Sequence, residues 1–171
     1  LTTDGGESGS EPHPADDVSV IVVDPDDVIE TMRRNARDRD EQRTHVLRIS
    51  PPFEGEHTAK THISHEYRDY PPEVSVTPIH LMPAMFIIGH MAGTRHPDWP
   101  RHLNHPTVGE ARSEFRNHYD LYDDETGEQL PIEGHDERES LWDEWWDVTT
   151  SEWESNVRHA LRNTDEITLA S

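Results

Sequence analysis

Four histidines, His90, His96, His102 and His105, fall within the segment GHMAGTRHPDWPRHLNH, residues 89–105. Imidazole nitrogens bind zinc at about 2.0–2.1 Å, and a catalytic zinc keeps one position open for water or substrate. Zinc is therefore the cofactor this cluster would take, and a metal-dependent, hydrolase-like activity is the chemistry it would support. The spacing is not specific, however. His102 follows His96 by six residues and His105 follows His102 by three, and no H-E-x-x-H is present. The chain has 13 histidines spread from His13 to His159, so one local cluster is not surprising. The segment reads first as a polar loop and second as a metal site.

A second set of candidates is aromatic. Trp142, Trp145, Trp146 and Trp153 lie close together near the C-terminal end of the chain, and only Trp99 lies elsewhere. At helical spacing, Trp142, Trp146, Thr149, Trp153, Val157 and Ala160 form one stripe, while Trp145 joins Leu141 and Val148 beside it. A helix apolar over so wide an arc must be covered on both sides, by its own domain or by a partner. Tryptophans also dominate interface energetics. These four are the candidate partner-binding residues, for another protein or for self-association, with at least one expected to stay exposed in the isolated chain.

Three further features read as structural. His57, His62 and His65, with His45 upstream, sit on a two-strand pattern as cross-strand polar residues of a solvated face. Parity separates His62 from His57 and His65, so three ligands cannot converge from that strand. The run RRNARDRDEQR, residues 33–43, holds five arginines, but it ends a helix that begins with Asp24, Asp26 and Asp27. Acid first and base last complements the helix dipole. Phosphate contacts lose roughly 10³–10⁵ in affinity over modest increases in salt, which disfavours nucleic acid as the partner. Arg48 should point away from the core, where a small anion could meet it.

Composition decides the setting. Thirty-six acidic residues against 15 basic ones give a net charge of −21, and Lys60 is the one lysine. Apolar residues make up 31% of the chain, a level that usually flags disorder, yet five tryptophans and clear periodic runs argue for a fold. This acidic, lysine-poor pattern resembles the small cytosolic proteins of extremely halophilic archaea. At about 1 M salt the Debye length is roughly 3 Å, so the excess charge barely repels itself. The resemblance implies a cytoplasmic protein that needs salt to fold. With no cysteine, disulfides and thiolate metal sites are excluded. The longest apolar run, AMFII, is far below the ~20 residues of a membrane helix. Residues 1–17 read as an acidic tail without the features of a signal peptide, and 18–171 as one domain.

The elements that must position these residues can be drafted in order. VSVIVV, residues 18–23, reads as a buried strand. Asp24 caps a helix that Pro25 opens, running to about residue 41 with Val28, Ile29, Met32 and Ala36 inward. Residues 44–53 and 57–67 form two strands, with Leu47 and Ile49 matching Ala59, Thr61 and Ile63. Residues 74–81 give an edge strand interrupted by Pro78, and 82–91 a short buried helix. Thr107 and Glu110 stand at capping-box spacing before a helix to about 122. Residues 136–163 form a long helix or helix pair, broken near 149–151 if it is a pair, and EITLA an edge strand. The expected class is α+β: a small, mainly antiparallel sheet of three to five strands covered by helices. No Gly-rich phosphate loop, G-x-S-x-G or D-x-D-x-D calcium loop appears. The reading leans away from an enzyme, towards an accessory, regulatory or assembly protein that works through protein contacts. A metal-dependent enzyme using residues 90–105 is the alternative, and a nucleic-acid-binding regulator comes third.

Overall fold

The computed structural model describes residues 18–41, 43–64, 78–88, 100–161 and 166–167. It is an α+β fold. Strands β1 (Val18–Val23), β2 (Thr44–Ile49), β3 (Gly55–Ser64), β4 (Ile79–Leu81) and β5 (Glu166–Ile167) form one sheet in the order β4-β2-β3-β1-β5. The pairs β2–β3, β2–β4 and β1–β5 are antiparallel, as a mainly antiparallel sheet requires, and β1 runs parallel to β3. Strand β3 serves both neighbours with different stretches. Residues 55–59 meet β1, and residues 60–64 meet β2 with Leu47 opposite Thr61. The expected edge strand at 74–81 is seen only as Ile79–Leu81, directly after Pro78, because residues 65–77 lie outside the described residues.

Helix α1 (Pro25–Arg37) starts as its residues dictate. The Asp24 carboxylate accepts from the Asp26 N–H at 2.9 Å, and Pro25 fills a position whose N–H would have no partner. Val28 and Ile29 are buried against the sheet, and so is Thr31, whose hydroxyl reaches the Asp27 carbonyl and Thr61 of β3.

The helix ends at Arg37, before the expected residue 41, and a 3₁₀ turn (Arg39–Glu41) leads into β2. The cause is a polar corner. Asp38 accepts from Arg37 Nε at 2.7 Å and lies 2.8 Å from His45 Nε2, while Asn35 brackets the His45 backbone with two hydrogen bonds. His45 is therefore not on a solvated face. It is 2% exposed and ties the end of α1 to the start of β2.

Arg37 first, and then His45, hold the Asp38 carboxyl at about 2, below its ordinary 3.8. A depressed carboxylate contributes stability that is present above its unfolded-state value and is lost as pH falls through its folded one. Between pH 4 and 2 the wild type should therefore lose stability that Asp38→Asn never had. Acid titrations of the two proteins by circular dichroism, converging as pH falls, check this; parallel curves would refute it.

The helix expected over 82–91 is described as α2 (Met85–Ile88), with 89–91 outside the described residues. Helix α3 (Val108–Tyr119) is capped by Thr107, whose hydroxyl accepts from the Glu110 N–H. It stops three residues short of 122 because Asp120 turns into the left-handed region, φ 52°. Helix α4 (Asp136–Leu161) is one helix, about 39 Å long at 1.5 Å per residue. The suspected break at 149–151 does not occur, since the Thr150 hydroxyl donates to the Trp146 carbonyl and is satisfied within the helix.

The two halves of α4 do different work. Trp153, Val157 and Leu161 enter the main core with residues of β1 to β4, α1, Phe86 of α2 and Leu103. The first half instead carries α3 through Phe115, whose ring meets those of Trp142 and Trp145 at 5.5 and 5.9 Å. Ala111, Phe115 and Ile132 are buried there, apart from the main core.

Candidate functional site

Three features that lie far apart in the sequence meet at one cleft. Helix α1 and the turn after it bring Arg33, Ala36, Arg37 and Arg39. The segment before α3 brings His105, Pro106, Thr107 and Val108, and α4 brings Trp146. Together they line a cavity of about 360 Å³, at the lower end of the range for small-ligand pockets. None of these lining residues is acidic, in a chain whose net charge is −21.

Helical spacing sets up the arginine wall. Residues 33, 36 and 37 share one face of α1, and Ala36 leaves room between two guanidinium groups. Arg33 is held by Glu30 at 3.2 Å and by Glu154 of α4 at 2.9 Å, so the pair that aims it also joins α1 to α4. Arg37 is held by Asp38. Arg39 makes no hydrogen bond or ion pair among the described residues. A guanidinium has five N–H donors, so Arg33 and Arg37, each with two engaged, retain donors for a ligand.

His105 forms the opposite wall. Its Nδ1 lies 2.8 Å from the Pro106 carbonyl, which can only accept, so Nδ1 carries the proton. Its ring stands edge-on to Trp153, with centroids 4.5 Å apart, and to Trp146 at 6.2 Å. Burial pushes its pKa below the ordinary histidine value. The Pro106 carbonyl opposes that shift, while the charges of Arg33 and Arg39 add to it. At neutral pH the imidazole is therefore neutral, and the arginines supply the positive charge. Trp146 stacks on Trp142 at 5.9 Å and offers a half-buried indole to the cleft.

The candidate metal ligands fall only in part on the described residues. His90 and His96 lie outside the described residues. His102 is exposed on the 3₁₀ turn Arg101–Leu103, and His105 is packed between tryptophans. Among the described residues, no group of three His, Asp or Glu is placed to hold a metal.

The tryptophans do not form a bare stripe. Trp153 is 3% exposed and donates from Nε1 to the Leu103 carbonyl at 3.1 Å, so it belongs to the chain's own core and is withdrawn from any partner surface. Trp142, Trp145 and Trp146 are half-buried. Arg112 lies 5.4 Å over the Trp142 ring, and Trp145 packs against Phe115, His118 and Tyr119. The exposed apolar side chain on α4 is instead Val148.

Of the remaining candidates, Arg48 is half-buried on β2 beside His62 at 3.0 Å, and His80 stands across from it on β4. Sequence reasoning assigned the arginines of 33–43 to dipole compensation and missed the cavity that Arg33, Arg37 and Arg39 share. The available signal was the concentration of five arginines in a chain with one lysine.

No helix among the described residues is long and apolar enough to cross a membrane. No curated protein and no solved structure matches the chain. Residues 8–171 match the family described as a domain of unknown function (DUF8009), and the chain belongs to that family.

Proposed function

We propose that this protein is a binding component, accessory or regulatory in role, that works through contacts with a protein partner and receives an anionic group of that partner in the α1–α4 cleft. One observation carries the reading. Three guanidinium groups border one cavity whose lining has no carboxylate, on a molecule that is otherwise strongly acidic. Such a site attracts an anion against the repulsion of the whole surface, which restricts partners to those that can place charge there. The half-buried Trp146 in the cleft and Trp142 stacked on it supply apolar contact area, and Trp145 on the same helix adds to it. In the salt-rich cytosol that the composition suggests, salt screens the repulsion of the acidic surface but also weakens the exposed arginine contacts, and the apolar area, which salt strengthens, offsets that loss.

The test uses inorganic phosphate as a probe at fixed ionic strength, followed by tryptophan fluorescence. Saturable binding is expected in the wild type, weakened about tenfold in Arg39→Gln, because a charge-assisted hydrogen bond is lost. No saturable response, or equal affinity in the variant, would remove the cleft as the working surface.

A further inference from the structure

We infer that the group received by the cleft is a phosphomonoester dianion carried on a segment of the partner protein. The inference rests on the anion-binding reading above and goes beyond it to the charge and the carrier of the ligand.

The charge follows from the count of cations. Arg33, Arg37 and Arg39 bring three permanent positive charges to one rim, and His105 across from them is neutral with its Nδ1 proton committed to the Pro106 carbonyl. Glu30 and Glu154 offset Arg33, and Asp38 offsets Arg37. Arg39 has no acidic partner among the described residues. A monoanionic carboxylate would engage Arg39 and leave the spare donors of Arg33 and Arg37 unused. A phosphomonoester presents three acceptor oxygens and nearly two charges, which matches donors arriving from three separate side chains.

The carrier follows from exposure. The Arg37 side chain is 71% exposed and that of Arg33 46% exposed, so the arginine side of the cleft opens to solvent. A group docked there keeps its attachment outside. Ala36, Val108 and Trp146 give the lining an apolar part, which suits the short stem of a phosphorylated side chain.

Three probes, titrated against the full chain in potassium chloride with tryptophan fluorescence as readout, separate the possibilities. They are a Gly-Ser peptide bearing one phosphoserine, the same peptide with glutamate in its place, and phenyl phosphate. The phosphoserine peptide is expected to bind at least tenfold more tightly than the glutamate peptide, and Arg39→Gln should remove most of that difference. The preference should also shrink as pH falls through about 6, where the phosphate becomes a monoanion. Protonation of His105 would strengthen anion binding, an effect of opposite sign, and burial holds that protonation below the ordinary histidine value. The arginines keep their charge throughout, and Arg34 and Arg37 hold the carboxyls of Glu30 and Asp38 below their ordinary values.

Equal binding of the phosphoserine and glutamate peptides would overturn the dianion while leaving an anion cleft. Phenyl phosphate binding more tightly than the phosphoserine peptide would overturn the protein carrier and make this a small-molecule site. Failure of all three probes, in a protein whose near-ultraviolet spectrum is intact, would overturn both this inference and the reading it rests on.

Discussion

Lowering potassium chloride from about 1 M to about 0.01 M is expected to unfold the protein, with loss of far-ultraviolet helical signal. Over that range the Debye length grows from roughly 3 Å to roughly 30 Å, and a net charge of −21 begins to repel itself across the whole molecule. The surface ion pairs strengthen as salt is removed. These include Lys60–Asp27 at 3.0 Å and Arg33–Glu154 at 2.9 Å. Exposed pairs contribute only about 0–1 kcal/mol each, and 15 bases cannot neutralise 36 acids, so repulsion wins. Salt withdrawal also weakens the apolar side of the balance.

The loss should begin in the helical arm. The first half of α4 carries Asp136, Glu137, Glu139, Asp143, Glu144 and Asp147, while the apolar cluster beneath it rests on Ala111, Phe115 and Ile132. Fluorescence of Trp142 and Trp145 should accordingly change at a higher salt concentration than the sheet signal does. A fold equally stable at both ends of the salt range would refute the charge argument.

Trp153→Ala is expected to cost about 3–5 kcal/mol, the usual range for removing a large aromatic side chain from a packed core. The ring is 3% exposed, and it sits with Val157, Leu161 and Leu103 between α4 and the sheet. The substitution also leaves the Leu103 carbonyl without its donor. His105 would lose its closest aromatic neighbour, so the wall of the cleft should loosen along with the core. Trp153→Phe keeps most of the volume and loses the hydrogen bond, so a cost of about 1–3 kcal/mol is expected. Val148→Ala, on the exposed side of the same helix, should stay within about 0.5 kcal/mol of wild type. Denaturant midpoints in molar potassium chloride give all three values. Trp153→Ala costing no more than Val148→Ala would show that α4 does not close the core.

Local signals were legible wherever one stretch of chain settles its own conformation. Asp24 and Pro25 announced the start of α1, Thr107 and Glu110 that of α3, and the β-branched VSVIVV announced β1. The shared face of Leu47 and Thr61 followed from alternation, because a two-residue period fixes which side chains lie on one face, while the register itself came from the paired strands. The α+β class and the long C-terminal helix followed in the same way. Each depends on residues that are neighbours in sequence, whose caps, spacing and propensities act before any distant contact forms.

What the tertiary structure decided are the places where distant residues compete or combine. Asp38 ends α1 early because His45, on the next strand, takes its carboxylate, and helical periodicity carries no trace of that bond. His45 itself, by pattern a surface histidine, is buried for the same reason. The tryptophan stripe looked uncovered because its spacing does not reveal that Phe115 packs beneath Trp142 and Trp145. The cleft is the extreme case. Arg33, His105 and Trp146 belong to three segments that each have an adequate local explanation as helix end, polar loop and amphipathic stripe. Only the packing of α4 across α1 places them around one cavity, since a site made by long-range contacts has no periodicity of its own in the chain.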